Sequence, residues 1–342
     1  AMACMSADVI GVGARGVMLP VVPMFHVNAW GIPYASPMGG AKLVMPGPRL
    51  DGAGLHEMIE EEQVNYVAGV PTVWLGLLQY LRENDKRIDS VERVLIGGSA
   101  LPEALLRAFE DNYGVTMQQG WGMTEMSPLG TVNVPLAKHA DLSRDEMVKL
   151  KLKQGRLVYG VEMRIVDDEG RELPWDGKSS GHVHVRGPWI ASGYFRGAGA
   201  EAFTDDGWMK TGDVAYLDSD GFMTITDRSK DVIKTGGEWI SSIDLENEAM
   251  GHPDVAMAAV IGKHHPKWQE RPLLIVQLRE GAEPNAESIL EFLRGKVPKL
   301  WVPDAVEFID EMPIGATGKI LKTKLRDIYR DYQFPGTEGM EP

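Results

Sequence analysis

Between Lys42 and Gln118, short runs of aliphatic residues alternate with segments of helical periodicity. A strand over 64–70 is followed by Pro71, which opens a helix with apolar residues at i, i+3, i+4 and i+7: Trp74, Leu77, Leu78 and Leu81. The order continues with a strand over 91–96, a helix over 101–113 and a strand over 115–118. This β-α-β-α order predicts a layered α/β sheet.

Two changes in the pattern of apolar and polar residues divide the rest of the chain. After Gly155, the segments 157–167 and 182–187 alternate apolar and polar residues, which is typical of antiparallel strands, and 222–226 adds another strand. Beyond the charged pentapeptide 227–231, the predicted elements are a helix over 242–250, strands over 256–261 and 273–278, a helix over 286–296, a strand over 305–309 and a helix over 321–332. They predict a separate α+β domain.

A chain of 342 residues is too long for one ordinary core. We predict a partial large domain over 1–226, a hinge over 227–231 and a C-terminal lid domain over 232–342. Within the large domain, the α/β part runs to about residue 154 and a β-rich part begins at about residue 155.

The composition limits the partners. Hydrophobic residues at 44% and charged residues at 25% are typical of a soluble globular protein. The net charge of −14 argues against nucleic acid or an anionic membrane, because no basic excess would release counterions. The single cysteine, Cys4, cannot form an internal disulfide, which favours a cytoplasmic location. The most apolar stretch, 16–34, is interrupted by prolines, and we predict a buried strand running into a loop, not a membrane span.

Two glycine-containing loops directly follow apolar strands, at the edge where parallel sheets bind ligands. The glycines of Gly97-Gly98-Ser99-Ala100 would let a flat ligand lie against backbone, although this loop alone favours a tight strand-to-helix turn. The run Gln119-Gly120-Trp121-Gly122-Met123-Thr124-Glu125 offers an aromatic face, a hydroxyl and a carboxylate. Such a set could stack a base, bond a phosphate and hold a hard cation; otherwise Trp121 is core and Glu125 a solvated charge.

Two further candidate sites are charged. Thr211-Gly212-Asp213, with Asp227-Arg228 downstream, offers a carboxylate and a guanidinium that could clasp ribose hydroxyls, although each alone is an ordinary turn residue or salt-bridge member. Thr317-Gly318-Lys319 lies in a loop before the last helix. It does not satisfy the phosphate-loop pattern G-x-x-x-x-G-K-[ST], because Ile320 replaces the hydroxyl residue, so a kinase or NTPase assignment fails.

In this order, the segments resemble the core motifs of the adenylate-forming superfamily, which includes acyl-CoA synthetases, peptide-synthetase adenylation domains and luciferases. The resemblance runs from about residue 19 to about residue 324. The runs PMFHVNAW at 23–30 and GGEWIS at 236–241 look like the medium- and long-chain fatty acyl-CoA ligase branch. The resemblance to this superfamily implies α/β and β-rich subdomains followed by a small mobile α+β domain. The implied cofactors are ATP, Mg²⁺ and coenzyme A, with AMP as a product.

The resemblance also implies a role for each matching residue. The implied nucleotide-binding residues are Gly98, Ser99, Ala100, Gln119, Gly120, Trp121, Gly122, Thr124, Asp213, Arg228 and Trp239, with Trp121 where a stacking tyrosine is usual. The implied catalytic residues are Lys319, Thr124 and Glu125, with Glu125 holding Mg²⁺ and Lys319 bridging the attacking carboxylate and the α-phosphate. The remaining roles are the hinge for Lys230, the acyl pocket and its gate for His26, Trp30, Gly122 and Met123, and the coenzyme A tunnel for Gly236 and Gly237.

The superfamily's Ser/Thr/Gly-rich phosphate loop, which carries its own lysine, should precede Leu19 and does not occur in this chain. The resemblance therefore implies a truncated or cleaved product, or a second chain that supplies the rest. It also predicts that the chain alone has little or no ligase activity.

The predicted activity of the parent enzyme is AMP-forming ligation of a medium- or long-chain fatty acid to coenzyme A. Three alternatives stay open: another acid, such as a methylthio-alkanoate or an aryl acid; loading of the acid onto a carrier protein; and a non-catalytic nucleotide-binding fragment. The predicted partner is a small carboxylic acid, with no nucleic acid and no integral membrane. A homodimer and association with the missing N-terminal segment are two further partner hypotheses.

Overall fold

A computed structural model of the chain describes residues 2–6, 9–228, 230–236 and 238–337. The chain divides into two compact units. The first unit comprises Ala1–Thr211 with Ala215–Ile225, and the second comprises Gly212–Val214 with Thr226–Pro342. The domain limits and the hinge inferred from the sequence stay predictions.

In the part of the chain that the structure describes, the first unit contains a seven-stranded sheet with the order β2-β1-β3-β4-β5-β6-β7. Its strands are β1 (Val17–Pro20), β2 (Lys42–Leu43), β3 (Tyr66–Gly69), β4 (Arg93–Ile96), β5 (Thr116–Gly122), β6 (Leu129–Val132) and β7 (Arg156–Leu157). The pairs from β2 to β5 are parallel, and β6 and β7 add antiparallel pairs. The predicted α/β sheet is confirmed, with an antiparallel extension that sequence reasoning did not include.

The helices of the first unit are α1 (Met2–Met5), α2 (Val27–Trp30), α3 (Ile32–Gly39), α4 (Gly52–Glu62), α5 (Pro71–Glu83), α6 (Glu103–Tyr113) and α7 (Arg144–Lys151). Helix α5 shows why they form. Pro71 stands at its first turn, where a missing N–H costs no hydrogen bond, and all four predicted apolar positions are buried. Burial of such a side chain stabilises the fold by about 1.5–3 kcal/mol. The predicted helix is confirmed.

The predicted buried strand running into a loop is confirmed at Val17–Pro20 and over residues 21–26, but the loop is shorter than predicted, because α2 and α3 occupy the region from Val27 onward. Pro33 lies in the first turn of α3, where proline is favoured, so the prolines did not exclude a helix. Helix α2 is a single turn with left-handed backbone: φ is 48° at Val27, 50° at Asn28, 48° at Ala29 and 56° at Trp30. Left-handed turns of non-glycine residues have no pattern of apolar spacing that a sequence could reveal.

A smaller four-stranded sheet has the order β11-β10-β9-β8 among the described residues. Its strands are β8 (Glu162–Val166), β9 (Gly181–Arg186), β10 (Met209–Leu217) and β11 (Met223–Arg228). Strands β8 and β9 pair antiparallel, as predicted. The middle of β10, Gly212–Val214, and the end of β11 from Thr226 onward belong to the second unit.

The second unit is an α+β structure, as predicted. Its remaining strands are β12 (Ile233–Thr235), β13 (Glu238–Ile240), β14 (Val255–His265), β15 (Gln269–Leu278) and β16 (Ala305–Phe308), and its helices are α8 (Ser242–Ala249), α9 (Ala286–Leu293) and α10 (Lys322–Ile328). Among the described residues these strands form a five-stranded sheet with the order β13-β12-β15-β14 and with β16 paired to β15, and each face of this sheet packs against its own hydrophobic cluster. Within the described residues, no helix has both the length and the apolar composition that crossing a bilayer requires.

Candidate functional site

The loop after β4 lies against the predicted acyl gate. A Cβ on Gly97 would lie 3.0 Å from Cη2 of Trp30, so a larger residue would require the indole to shift by a few tenths of an ångström. Gly98 has a φ of 84°, which also favours glycine. Gly98 and Ser99 are exposed and Ala100 is half-buried. The structure therefore brings the predicted adenine loop and the indole of Trp30 together within the first unit.

Gln119 hydrogen-bonds to the end of the loop that follows β4. Its side chain is buried, and its Oε1 accepts a hydrogen bond from the backbone N–H of Leu101 at 3.4 Å. The adjacent Gly120 is half-buried. Gln119 therefore fixes the loop through its side chain, and its predicted contact with a nucleotide stays a prediction.

Trp121 is packed into the core of the first unit, with 9% of its surface exposed. A Cβ on Gly130 would lie 2.7 Å from Cζ3 of the indole, so β6 packs directly on the ring. Most of the ring is thus covered by protein. Stacking of a base on its remaining edge stays a prediction.

The segment after Trp121 forms a tight turn that presents Thr124 and Glu125. The backbone N–H of Met123 donates to the carbonyl of Pro128 at 2.9 Å, and a Cβ on Gly122 would lie 1.9 Å from that same oxygen. Thr124 is exposed, and Met123 and Glu125 are half-buried. The glycine at 122 is required by this close backbone approach.

Glu125 is held by residues that sequence reasoning missed. The phenol of Tyr194 donates to Oε1 of Glu125 at 2.6 Å, and the backbone N–H of Ala191 donates to its carbonyl at 2.7 Å. The hydrogen bond to Glu125 raises the pKa of the Tyr194 phenol, which favours its protonated form. The glycine-containing run 191–199 was the available signal, but nothing in it indicated a partner so distant in sequence.

The oxygen donors of this turn fit a hard cation. The described residues contain no cluster of three or more His, Cys, Asp or Glu that could hold a metal alone. Mg²⁺ in nucleotide sites is bound by one or two carboxylates together with phosphates and water, and one carboxylate beside an exposed hydroxyl matches that donor set. Glu125 and Thr124 are therefore chemically suitable for Mg²⁺ bound to a nucleotide.

Asp213 and Arg228 meet in the second unit. Nε of Arg228 lies 3.4 Å from Oδ1 of Asp213, and 52% of the Arg228 side chain is exposed against 6% for Asp213. A buried carboxylate beside an exposed guanidinium can present oxygen and nitrogen to a pair of hydroxyl groups. The structure brings this predicted pair together.

Lys319 lies in the same unit, and the charges of Asp213 and Arg228 affect the pKa of its ammonium. Its loop is a turn in which the N–H of Gly315 donates to the Lys319 carbonyl at 2.8 Å. Burial lowers the pKa of the Lys319 ammonium, the charge of Arg228 lowers it further, and Asp213 partly offsets both. Lys319 is therefore not a solvated loop lysine.

The remaining predicted residues differ in exposure. Lys230 is exposed, and Trp239 on β13 is 39% exposed. Gly236 has a φ of 55°, and a Cβ there would lie 2.9 Å from Cε3 of Trp268, so glycine is needed for this contact. Gly237 lies outside the described residues.

A mainly apolar cavity of about 1,070 Å³ lies in the first unit. Its lining includes Trp30 and Trp189, but none of His26, Gly122 and Met123. His26, which is half-buried, immediately precedes α2. The cavity therefore shares one residue with the predicted acyl pocket, whose composition stays a prediction.

A sheet with glycine-containing loops at its strand ends, in a chain that also carries a small α+β unit, agrees with the architecture that the resemblance to the adenylate-forming superfamily implies. The chain belongs to the AMP-binding enzyme family: the family model matches residues 1–195, and the model of the AMP-binding enzyme C-terminal domain matches residues 244–319.

Several curated proteins are similar over almost the whole chain. It is 53% identical over 95% of its length to 3-methylmercaptopropionyl-CoA ligase of Ruegeria lacuscaerulensis. It is 51% identical over 95% to the medium-chain-fatty-acid–CoA ligase of Ectopseudomonas oleovorans and 47% identical over 97% to the long-chain-fatty-acid–CoA ligase of Thermus thermophilus. The chain spans 60%, 59% and 61% of these relatives' lengths, respectively.

Solved structures agree with this assignment. ATP-bound MatB from Rhodopseudomonas palustris matches 96% of the chain with a TM-score of 0.81 at 26% identity, and 63% of that protein is covered. The anthranilate CoA ligase AuaEII in complex with anthranoyl-AMP matches 94% with a TM-score of 0.83 at 26% identity, and 60% of it is covered.

Proposed function

We propose that the protein is an AMP-forming acid–CoA ligase, which activates a carboxylic acid with ATP and transfers it to coenzyme A. The observation that carries the proposal is the pairing of Asp213 with Arg228, whose Oδ1 and Nε lie 3.4 Å apart in the same unit as the half-buried Lys319. In this assignment, Asp213 and Arg228 hold the ribose and Lys319 attracts the reacting anions.

The first half-reaction brings a carboxylate to a highly anionic nucleotide, so charge neutralisation is its main obstacle. A cation about 4 Å from an anion, at an effective dielectric constant of about 20, contributes roughly 4 kcal/mol, or about a thousandfold in rate. Lys319 supplies this charge from the protein. Glu125 and Thr124 would hold Mg²⁺, which would neutralise further phosphate charge when bound.

The second half-reaction needs the coenzyme A thiol at the acyl-adenylate. We assign Lys230 as the hinge that exchanges the Lys319 turn for the Gly236 segment between the two half-reactions. The exposure of Lys230 and the absence of a side chain at Gly236 are consistent with these roles.

The acid is the finer part of the proposal. A medium- or long-chain fatty acid is the leading substrate, and the named fatty-acid ligases among the relatives support it. A methylthio-alkanoate is the second candidate, because similar relatives from two Ruegeria species are named 3-methylmercaptopropionyl-CoA ligase. An aryl acid is a weaker candidate, supported by the anthranilate CoA ligase at 26% identity.

Acid-dependent exchange of labelled pyrophosphate into ATP tests the activity. The assay is run on the 342-residue chain and on a form of the protein that has the length of its curated relatives, with fatty acids of increasing length, 3-methylthiopropionate and anthranilate. We expect exchange by the longer form with at least one acid, and thioester formation only when coenzyme A is present. Binding of AMP without exchange by the longer form would favour a non-catalytic nucleotide-binding protein. Exchange without thioester formation when coenzyme A is supplied would favour loading of a carrier protein.

A further inference from the structure

The segment 189–194, which is distant in sequence, is hydrogen-bonded to the turn that carries Glu125. The N–H of Ala191 donates to the Glu125 carbonyl at 2.7 Å, and the hydroxyl of Ser127 donates to the carbonyl of Trp189 at 3.0 Å. The indole N–H of Trp189 donates to the carbonyl of Leu129 at 3.3 Å. These bonds hold the backbones of the two loops together along several residues.

Tyr194, at the end of this segment, reaches the carboxylate of Glu125 itself. Its phenol donates to Oε1 at 2.6 Å. The ring of Phe203 packs edge-on against the tyrosine, with centroids 5.6 Å apart. A Cβ on Gly199, which has a φ of 61°, would lie 3.0 Å from Cδ2 of Tyr194. The phenol is therefore held in place by its neighbours.

This bond leaves one carboxylate oxygen available. From the described residues, Oε1 of Glu125 receives the phenol, and the structure shows no donor for Oε2. A carboxylate that is fixed through one oxygen presents the other in a defined direction, as outer-shell partners do for metal ligands in general. Such orientation reduces the conformational entropy lost when the carboxylate binds a cation.

We propose that Tyr194 is a positioning residue, which orients Glu125 toward the divalent cation that accompanies the nucleotide. The inference rests on the proposed function, because the cation enters with ATP. Tyr194 does not contact the reacting atoms in this assignment, so its removal changes the affinity for the cation more than the rate of the bound complex.

Binding of Mn²⁺, followed by the electron paramagnetic resonance signal of the free ion, tests this with and without ATP. The proteins are the 342-residue chain, its Tyr194→Phe variant and a Tyr159→Phe control, which removes a phenol that is 96% exposed. Tyr194→Phe keeps the ring and its contact with Phe203, so it preserves the packing. We expect Mn²⁺ to bind about tenfold more weakly to Tyr194→Phe in the presence of ATP, and unchanged binding to Tyr159→Phe.

Glu125→Ala separates the failure of this inference from the failure of the proposed function. If Glu125→Ala loses the ATP-dependent Mn²⁺ site and Tyr194→Phe matches the wild type, the positioning role is wrong and the assignment of Glu125 stands. If the wild type shows no ATP-dependent Mn²⁺ site, or Glu125→Ala retains it, both are overturned. In the longer form, Tyr194→Phe should raise the Mg²⁺ concentration needed for half-maximal exchange while leaving the rate at saturating Mg²⁺ nearly unchanged.

Discussion

Lys319 illustrates how a side chain acquires a chemical role from its surroundings. Its ammonium is partly removed from water, and it feels the guanidinium of Arg228 and the carboxylate of Asp213. A second anion near this lysine would relieve the repulsion from Arg228 and offset the cost of burial. The site is therefore prepared for a negatively charged ligand before that ligand arrives.

Replacing Lys319 with alanine should separate the two half-reactions. In the longer form of the protein, we expect Lys319→Ala to slow pyrophosphate exchange about a thousandfold, because about 4 kcal/mol of charge stabilisation is lost. Thioester formation from a supplied acyl-adenylate should continue at nearly the wild-type rate. Lys299→Ala, which removes an exposed lysine of the same unit, is the control. Equal loss of both half-reactions would contradict the assigned role.

Sequence motifs predicted the charged residues of the site. They did not predict the residues that contact and orient those charged side chains. The pair Asp213 and Arg228 was predicted from residue type and order, and the structure brings the two together. Tyr194 was missed because its contact with Glu125 joins positions 69 residues apart. Such a contact depends on how two loops fold over each other, which the spacing of residue types does not encode.

At the scale of elements, α8 and α10 are joined by a largely buried ion pair. The Lys322 ammonium lies 2.7 Å from Oε1 of Glu246 and donates to the hydroxyl of Ser242 at 2.6 Å. Burial alone would lower the pKa of Lys322, but the charges of Glu246 and Asp227 raise it above its ordinary value. Because Lys322 lies three residues after Lys319, this pair also anchors the turn that carries the proposed catalytic lysine.

Breaking this pair should destabilise the second unit. Lys322→Met leaves the Glu246 carboxylate buried without its partner, and we expect a loss of about 3 kcal/mol in the free energy of unfolding. Adding Glu246→Leu should recover most of the loss, because both charges are then absent. Lys296→Met is the control: its pair with Glu248 is exposed and 3.8 Å long, so its removal should cost less than about 1 kcal/mol. Urea denaturation measures each value, and equal losses for the two lysines would refute the prediction.

Regular elements were predictable wherever their periodicity reflected one buried face. Helix α5 and the strands β3, β4, β9 and β16 meet this condition, and their positions agree with the sequence to within a few residues. Helix α3 was missed because its prolines suggested a loop, and the long β14 and β15 extend beyond their apolar cores into a hairpin of charged residues. In these cases, hydrogen bonding to a neighbouring strand or turn, rather than burial, sets the ends of the element.

At the scale of the whole molecule, the chain consists of two compact units with separate cores, which we expect to unfold in separate transitions. His184 offers a probe of the first unit. Burial, with the nearby charges of Arg164 and Lys210, lowers the pKa of His184 to about 4. Its neutral form is therefore favoured in the folded state.

The stability contributed by neutral His184 is complete above the pKa of an unfolded histidine, about 6.5, and is lost as the pH falls from there toward 4. The loss is at most about 1.4 kcal/mol per pH unit. Scanning calorimetry at pH 7.5 and pH 5 should show the transition of the first unit moving down in the wild type and moving less in His184→Gln. Lys322→Met should shift only the other transition. A single transition that both variants shift together would show that the units unfold as one.

In the left-handed turn at 27–30, we expect a glycine substitution to have the opposite effect on stability from the one it has in a right-handed helix. In a right-handed helix, glycine destabilises by about 1 kcal/mol, whereas a backbone of the opposite hand is a mirror image that glycine adopts without steric cost. Asn28→Gly, at an exposed position with a φ of 50°, should therefore be neutral or stabilising, and Asn112→Gly in right-handed α6 should destabilise. Equilibrium unfolding of the two variants thus reports the chirality of a four-residue turn. The same reasoning makes Trp30, whose φ is 56°, a residue whose orientation is set by its backbone as much as by its packing.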